Sequence, residues 1–139
     1  MTANELRIGN WIFIGINKEP YQVNARFFSS VANGFSHEEM VKAGYEELNS
    51  TVSPIPLTEK WLLKLGLEKQ DYKMSGCAVF EIPNSLWRIG QSFKGELCYF
   101  LWHKQVSPPT WSLSELKYVH QLQNIIFALT GEELTIKND

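Results

Sequence analysis

Two closely spaced prolines constrain this chain more than any other feature of its sequence. They lie in the segment Ser53-Pro54-Ile55-Pro56-Leu57, where each proline lacks a backbone N–H and pushes the residue before it toward an extended conformation. The segment therefore cannot form a helix or the centre of a sheet, and it predicts an edge strand or a linker. It separates a part that ends at about Leu57 from a part that begins at Thr58.

Length and composition are those of one ordinary globular domain. The chain has 139 residues, of which 44% are hydrophobic and 20% charged, and this balance excludes a disordered chain. We therefore expect residues 1–139 to form a single compact unit with two sub-modules, 1–57 and 58–139. The expected fold class is α+β.

The first sub-module is predicted to be rich in β-structure. Apolar residues alternate on both sides of turn residues at Asn17–Pro20, which predicts a β-hairpin over residues 6–25. A small SH3-like barrel, closed by the segment 53–57, is one form that this sub-module can take.

Residues 36–53 give two opposing signals. Ser36 and Glu39 have the spacing of a capping box, which favours a short helix. Gly44 opposes it, because a glycine within a helix costs about 1 kcal/mol relative to alanine. A short helix and an extended segment both stay open.

The second sub-module is predicted to begin with a short helix and to continue as a sheet. Thr58 is an N-cap for a helix that Gly66 ends. Two turn sequences then separate three extended runs. They predict a three-stranded antiparallel meander over Lys73–Ile82, Leu86–Phe93 and Glu96–Lys104.

A final helix closes the predicted order of elements. Ser112 and Glu115 have the spacing of a capping box, and Gly131 is placed to end the helix. Apolar residues between these signals recur at helical spacing and form one arc: Leu116, Val119, Leu122, Ile126 and Leu129.

Polar residues occupy the opposite arc of this helix. We call them the polar helix face, and they are Lys117, Gln121 and Asn124, with His120 at the edge. A solvated helix face is the simpler interpretation, and a contact surface for a partner chain or nucleic acid is the functional one. These four residues are the candidate interaction surface. Gln123 projects within the apolar arc and needs a hydrogen-bond partner if it is buried.

The charge and the start of the chain limit partners and location. A formal net charge of −2 leaves no surplus of Lys and Arg to neutralise phosphates, so nucleic-acid binding is not favoured. The apolar run Trp11–Ile14 is too short for a signal peptide or a membrane span. We expect a cytoplasmic protein that does not contact membranes. In a reducing compartment, Cys77 and Cys98 are expected to be buried thiols.

No catalytic motif is complete in this sequence. The run Gly90–Glu96 has the two glycines of a phosphate loop, but a glutamate stands where the lysine is needed. Folding could pair Cys77 or Cys98 with His103 or His120, although such pairs arise easily by chance in a chain of this size. We predict no catalytic residue, no metal ligand and no cofactor.

Four segments resemble one protein family in their amino-acid sequence and in their order along the chain: NELRIGN at residues 4–10, PIPLTEKWLLKLG at 54–66, KYVHQLQN at 117–124 and FALTGEEL at 127–134. The family consists of small uncharacterised proteins of Bacteroides-group bacteria, often encoded in prophage or mobile-element regions. The strands between these pieces carry no such resemblance. The resemblance implies a cytoplasmic accessory protein and no catalytic residue.

Three functions follow as hypotheses. The first is a non-enzymatic interaction module that binds a protein partner or forms a homo-oligomer, through the polar helix face or an uncapped sheet edge. The second is nucleic-acid binding by the N-terminal hairpin as part of a small barrel, which the net charge opposes. The third is a small-molecule or enzymatic role in a pocket between the sub-modules, which a cavity with a perturbed His or Cys would support.

Overall fold

The segment with the two prolines forms the edge of a small sheet. The structure is a computed structural model that describes residues 5–15, 17–27, 52–74, 77–92, 98–105 and 115–137. In it, strand β1 (Trp11–Ile14) pairs antiparallel with both β2 (Glu19–Gln22) and β3 (Ser53–Pro54). The order β2-β1-β3 confirms the predicted hairpin and edge strand. These described strands form an open sheet and do not close into an SH3-like barrel.

Contacts between residues divide the chain into two compact units. The first unit comprises residues 1–56 and 118–124, and the second comprises 57–117 and 125–139. The boundary after Pro56 follows the second proline, and the start of the last helix belongs with the first unit. The packing of all 139 residues as a single unit stays a prediction.

Apolar side chains of the hairpin form the core of the first unit. Leu6, Ile12, Val23 and Phe27 are buried together, and partly buried apolar residues pack around them. The second strand ends at Gln22, and residues 25–27 form a helical turn instead of continuing it. The prediction for residues 36–53 falls almost entirely on positions outside the described ranges.

The second unit begins with the short helix that the sequence predicts. Helix α1 spans Glu59–Lys64, and the hydroxyl of Thr58 accepts a hydrogen bond from the backbone N–H of Trp61 at 3.3 Å. Gly66 follows with a φ of +85°, a left-handed conformation that favours glycine. Both the start and the end of this helix are confirmed.

A five-stranded antiparallel sheet follows, where the sequence predicts three strands. The order is β4-β5-β6-β7-β8, with β4 at Glu68–Met74, β5 at Cys77–Glu81, β6 at Trp87–Ser92, β7 at Cys98–His103 and β8 at Glu115–Leu116. The prediction is wrong in number for two reasons. The run 73–82 contains the end of β4 and all of β5, and residues 115–116, predicted as part of a helix, form β8. Phe80, Ile89 and Leu101 are paired across three strands and fully buried, so one face of the sheet carries the core.

The last helix begins later than predicted. Helix α2 spans Val119–Thr130, whereas Glu115 and Leu116 pair with β7 and Tyr118 makes an antiparallel bridge with Pro56. The capping box assigned to Ser112 and Glu115 is therefore wrong, because pairing with neighbouring strands holds this stretch extended. Gly131, with a φ of +74°, ends the helix as predicted. No helix in the described ranges is long and apolar enough to cross a membrane.

Candidate functional site

Polar residues of the first unit gather in one cluster, in which Asn10, His120 and Gln123 are buried and Asn124 is half-buried. We call these four residues the buried polar cluster. Gln123 is fully buried. Its Oε1 accepts a hydrogen bond from the backbone N–H of Trp11 at 2.9 Å, and its Nε2 donates to the carbonyl oxygen of Gly9 at 3.1 Å. This residue therefore has the partners that its position within the apolar arc requires.

Asn124 joins three parts of the N-terminal segment. Its Oδ1 accepts hydrogen bonds from Arg7 Nε at 2.8 Å and Asn10 Nδ2 at 2.9 Å, and its Nδ2 donates to the carbonyl oxygen of Glu5 at 2.7 Å. Arg7 also donates through Nη2 to the carbonyl oxygen of Gln123 at 3.2 Å. Every polar atom of the Asn124 side chain is thus used inside the first unit.

His120 is the least satisfied member of the cluster. Its side chain is 1% exposed, and its Nε2 lies 3.6 Å from Glu5 Oε2, which is beyond hydrogen-bond length. The ring stacks on Tyr118 with 5.8 Å between centroids. Burial lowers the pKa of His120 below its usual 6.5, although the Glu5 carboxylate opposes this effect. The neutral imidazole is therefore the favoured form at pH 7.

The structure separates the four residues predicted as an interaction surface. Lys117 is 52% exposed, and the Oε1 of Gln121 accepts from the backbone N–H of Tyr118 at 3.1 Å, one half of a capping box for α2. The expected outward orientation is wrong for His120, which is buried. Sequence periodicity reports polarity, and a polar arc can face a polar segment of the same chain as well as water. The interaction role of these residues stays a prediction.

A pocket of about 450 Å³ lies within the second unit. Its walls come from the end of α1, the turn between β5 and β6, the end of β7 and the chain after α2. The lining residues include Gly66, Ser85, Trp87, His103, Glu132 and Lys137. The volume lies within the usual range for sites that bind small molecules.

Trp87 and His103 form the aromatic wall of this pocket. They are adjacent across β6 and β7, and their rings meet edge to face with 5.0 Å between centroids. The Nδ1 of His103 accepts a hydrogen bond from the backbone N–H of Gln105 at 3.2 Å. This bond orients the imidazole and leaves its Nε2 without a hydrogen bond in the described part of the chain.

The segment after α2, residues 132–137, forms another wall. It is attached to α1 by a hydrogen bond from the backbone N–H of Lys137 to the carbonyl oxygen of Lys64 at 3.0 Å. The methylene chain of Lys137 lies over Gly66, where an added Cβ would be 2.7 Å from Lys137 Cε. Gly66 therefore serves two purposes, since it ends α1 and makes room for the lysine chain.

Serine and histidine both line the pocket, but they do not form a catalytic pair. The Ser85 hydroxyl accepts a hydrogen bond from the backbone N–H of Trp87 at 3.0 Å, and no hydrogen bond links Ser85 to His103 in the structure. A serine nucleophile needs a base within hydrogen-bond reach. Ser85 and His103 therefore do not form a nucleophile–base pair in this arrangement.

The carboxylate of Glu81 lies on the five-stranded sheet, and its partners are side chains of the same unit. Glu81 accepts from the Tyr72 hydroxyl at 2.9 Å and forms ion pairs with Arg88 at 2.9 Å and Lys104 at 3.3 Å. Burial opposes ionisation of Glu81, but these donors and cations outweigh it and lower its pKa. The arrangement stabilises neighbouring strands and leaves no atom of Glu81 for a ligand.

The remaining predictions concern cysteines, metals and nucleic acid. The side chains of Cys77 and Cys98 lie outside the described part of the structure. Within the described ranges, no group of three or more His, Cys, Asp or Glu residues is placed to hold a metal ion. The described basic residues of the first unit are Arg7, Lys18 and Arg26, and Arg7 is used within the buried polar cluster. Their number and use give no support to a nucleic-acid surface on the hairpin.

The sequence did not predict this pocket. The pocket expected from the sequence lay between the sub-modules, whereas the described pocket lies within the second unit. Its walls come from four separated stretches of sequence, so no local motif marks them. Comparison with known proteins adds no assignment, since no family model, curated protein or solved structure matches the chain.

Proposed function

We propose that this protein is a non-enzymatic binding module of the cytoplasm whose second unit accepts a small molecule in the pocket. One observation carries the proposal. The pocket of about 450 Å³ is lined by four residues with polar side-chain atoms, Trp87, His103, Glu132 and Lys137. Within the described ranges, the one hydrogen bond of these atoms is that which His103 Nδ1 accepts from the backbone N–H of Gln105. Such convergent polar groups on an apolar wall are typical of ligand sites.

A non-enzymatic role agrees with the geometry of both histidines. His103 has no nucleophile within hydrogen-bond reach in the described structure, and His120 is enclosed in the buried polar cluster. Neither arrangement supplies a nucleophile with its base. The proposal therefore assigns binding, and not chemistry, to the pocket.

The test is a small-molecule library measured by two methods on the full chain. Thermal unfolding identifies compounds that stabilise the protein, and two-dimensional NMR then shows whether the Gly66 amide signal shifts on titration. Thr135→Trp, which places a bulky ring at the pocket wall, should abolish binding. Gln105→Trp, an exposed position outside the pocket lining, should not. If no compound shifts the Gly66 signal, or if the Thr135 variant binds normally, the proposal is wrong.

A protein partner or a second copy of the chain is the second candidate, in line with an accessory role in a phage or mobile element. The end of α2 exposes Phe127 by 39% and Leu129 by 42%, and large apolar side chains in water are common anchors of interfaces. The sheet edge at β4 is a weaker surface, because its exposed charged residues discourage strand pairing.

Affinity purification with nuclease treatment tests this second candidate. A stoichiometric protein that is lost with Phe127→Glu, and retained with the matched change Leu63→Glu at another exposed leucine outside the pocket, would support it. Sedimentation of the purified protein at increasing concentration tests self-association in the same pair of variants. A monomer that retains no protein would contradict the candidate.

A further inference from the structure

Charges of both signs line the pocket of the second unit, and they restrict the ligand that it can take. Two of the lining residues are acidic, Glu132 and Glu133, and one is basic, Lys137. A ligand with only negative charge would meet the two glutamates, and a ligand with only positive charge would meet the lysine. Like charges brought together in a partly enclosed site are costly. A ligand that carries both signs avoids either cost.

Lys137 is held in place without using its charge. Its backbone N–H is bonded to the carbonyl oxygen of Lys64, and its methylene chain lies over Gly66. No ion pair or hydrogen bond of its ammonium group is present among the described residues. Because its methylene chain already rests on Gly66, binding a carboxylate would restrict fewer further side-chain torsions than at a fully solvated lysine.

Glu132 offers the complementary group. Glu132 is exposed, and its backbone N–H donates a hydrogen bond to the Thr130 hydroxyl at 3.1 Å. This bond holds the backbone in place just after the end of α2. No hydrogen bond or ion pair of its carboxylate is present in the described structure. It can therefore accept hydrogen bonds from an ammonium group.

The lining also has an apolar part. Ile126 and Leu134 are buried, Trp87 is half-buried and Leu86 is exposed at the same pocket. These side chains can cover an apolar body of modest size, and 450 Å³ lies in the lower half of the range found for ligand sites. Size, apolar contact and mixed charge together describe a small amphipathic zwitterion.

We infer that the pocket binds a free α-amino acid with an apolar side chain, with its carboxylate at Lys137, its ammonium group at Glu132 and its side chain against Trp87. This inference rests on the proposed function, because it names the ligand class of the same pocket. It requires no chemical change in the ligand.

The experiment titrates the full chain with three probes that differ in one charge each. L-Phenylalanine carries both groups, L-phenylalaninamide lacks the carboxylate, and N-acetyl-L-phenylalanine lacks the ammonium group. We expect L-phenylalanine to shift the Gly66 amide and Trp87 indole NMR signals saturably. Each blocked probe should bind with an affinity lower by about tenfold or more, as the loss of one charge-assisted hydrogen bond predicts.

Two variants locate the charges on the protein. Lys137→Met keeps the methylene chain and Glu132→Gln keeps the shape, and each should weaken L-phenylalanine binding by about tenfold. Lys60→Met and Glu68→Gln are the matched controls, because they are exposed and outside the pocket lining. They should leave the affinity unchanged.

The outcomes separate this inference from the proposed function. Equal binding of the three probes, or no shift with L-phenylalanine, overturns the amino-acid assignment. If other library compounds still shift the Gly66 signal, the pocket remains a ligand site of another class. If no compound does, both the assignment and the proposed function fall.

Discussion

His103 and His120 lie in different units, and the chain uses them in different ways. His120 is buried in the first unit, beside amide side chains whose hydrogen bonds all end within the protein. His103 is half-buried in the second unit and lines a pocket together with Glu132 and Lys137, whose charged groups have no hydrogen bond or ion pair among the described residues. The first arrangement fixes a structure, and the second leaves hydrogen-bonding capacity for another molecule.

This difference gives a criterion that polarity alone does not. Asn124 and Lys117 lie on one predicted helix face, yet the first is used in three internal hydrogen bonds and the second is mostly exposed. A polar residue is a candidate for binding only after its internal partners have been counted. The predictions below test whether the buried polar cluster and the pocket differ in this way.

The largest effect is expected for Gln123→Met. The change keeps the length of the side chain but removes two hydrogen bonds of a fully buried amide, one from the Trp11 N–H and one to the Gly9 carbonyl oxygen. The Gly9 oxygen keeps a second donor, Gln22 Nε2 at 3.2 Å. The loss should lower the free energy of unfolding by about 2 kcal/mol, measured by urea denaturation. Gln105→Met, at an exposed position, is the control and should cost less than about 0.5 kcal/mol. Equal effects of the two changes would contradict a structural role for the cluster.

A smaller loss is expected for Gly66→Ala. The left-handed φ of +85° should cost about 1 kcal/mol for an alanine. The Lys137 chain can move away from the new Cβ, so the contact at 2.7 Å should add little stability loss but should displace the pocket wall. Urea denaturation measures the first effect, and NMR shifts of residues 132–137 measure the second. Unchanged signals in that segment would contradict the contact.

A pH-dependent effect is expected from His120. Because burial lowers its pKa in the folded state, the unfolded chain binds the proton more readily. Its contribution to stability should be complete above pH 6.5 and should decrease as the pH falls below that value. Urea midpoints at pH 8 and pH 5.5 measure this change. His120→Phe should reduce the difference between the two midpoints, whereas His103→Gln retains His120 and should preserve it.

The smallest effect on stability is expected for Glu132→Gln in the pocket. The carboxylate has no hydrogen bond or ion pair in the described structure, so its loss should change the free energy of unfolding by less than about 0.5 kcal/mol. The same variant should weaken ligand binding, as proposed above. A loss of stability as large as that of Gln123→Met would show that the pocket is a structural cluster too, and the comparison would fail.

Local signals predicted several elements correctly. Two prolines, a hydroxyl cap and glycines after α1 and α2 act through their own backbone, so the edge strand β3, the limits of α1 and the end of α2 follow from sequence. The need of Gln123 for a partner was also predictable, because its place within an apolar arc implies burial. The class α+β followed from the pattern of these elements.

The number of strands and the start of α2 depended on distant parts of the chain. Glu115 and Leu116 have neighbours typical of a helix, but pairing with β7 holds them extended. The hydrogen-bond partners of Gln123 and Asn124 come from the segment 5–11, more than a hundred positions away. Tertiary contacts of this kind outweigh local preferences because each satisfies hydrogen bonds that a helix propensity of a few tenths of a kcal/mol cannot replace.

The sequence by itself determined where helices and turns begin and end at prolines, caps and glycines, because those residues restrict their own dihedral angles. Only the tertiary structure decided which polar side chains are used internally and which line a pocket. That distinction depends on the distance between atoms from separate stretches of chain, such as Gln123 with Gly9 and Lys137 with Gly66. Periodicity along the sequence carries no information about such distances.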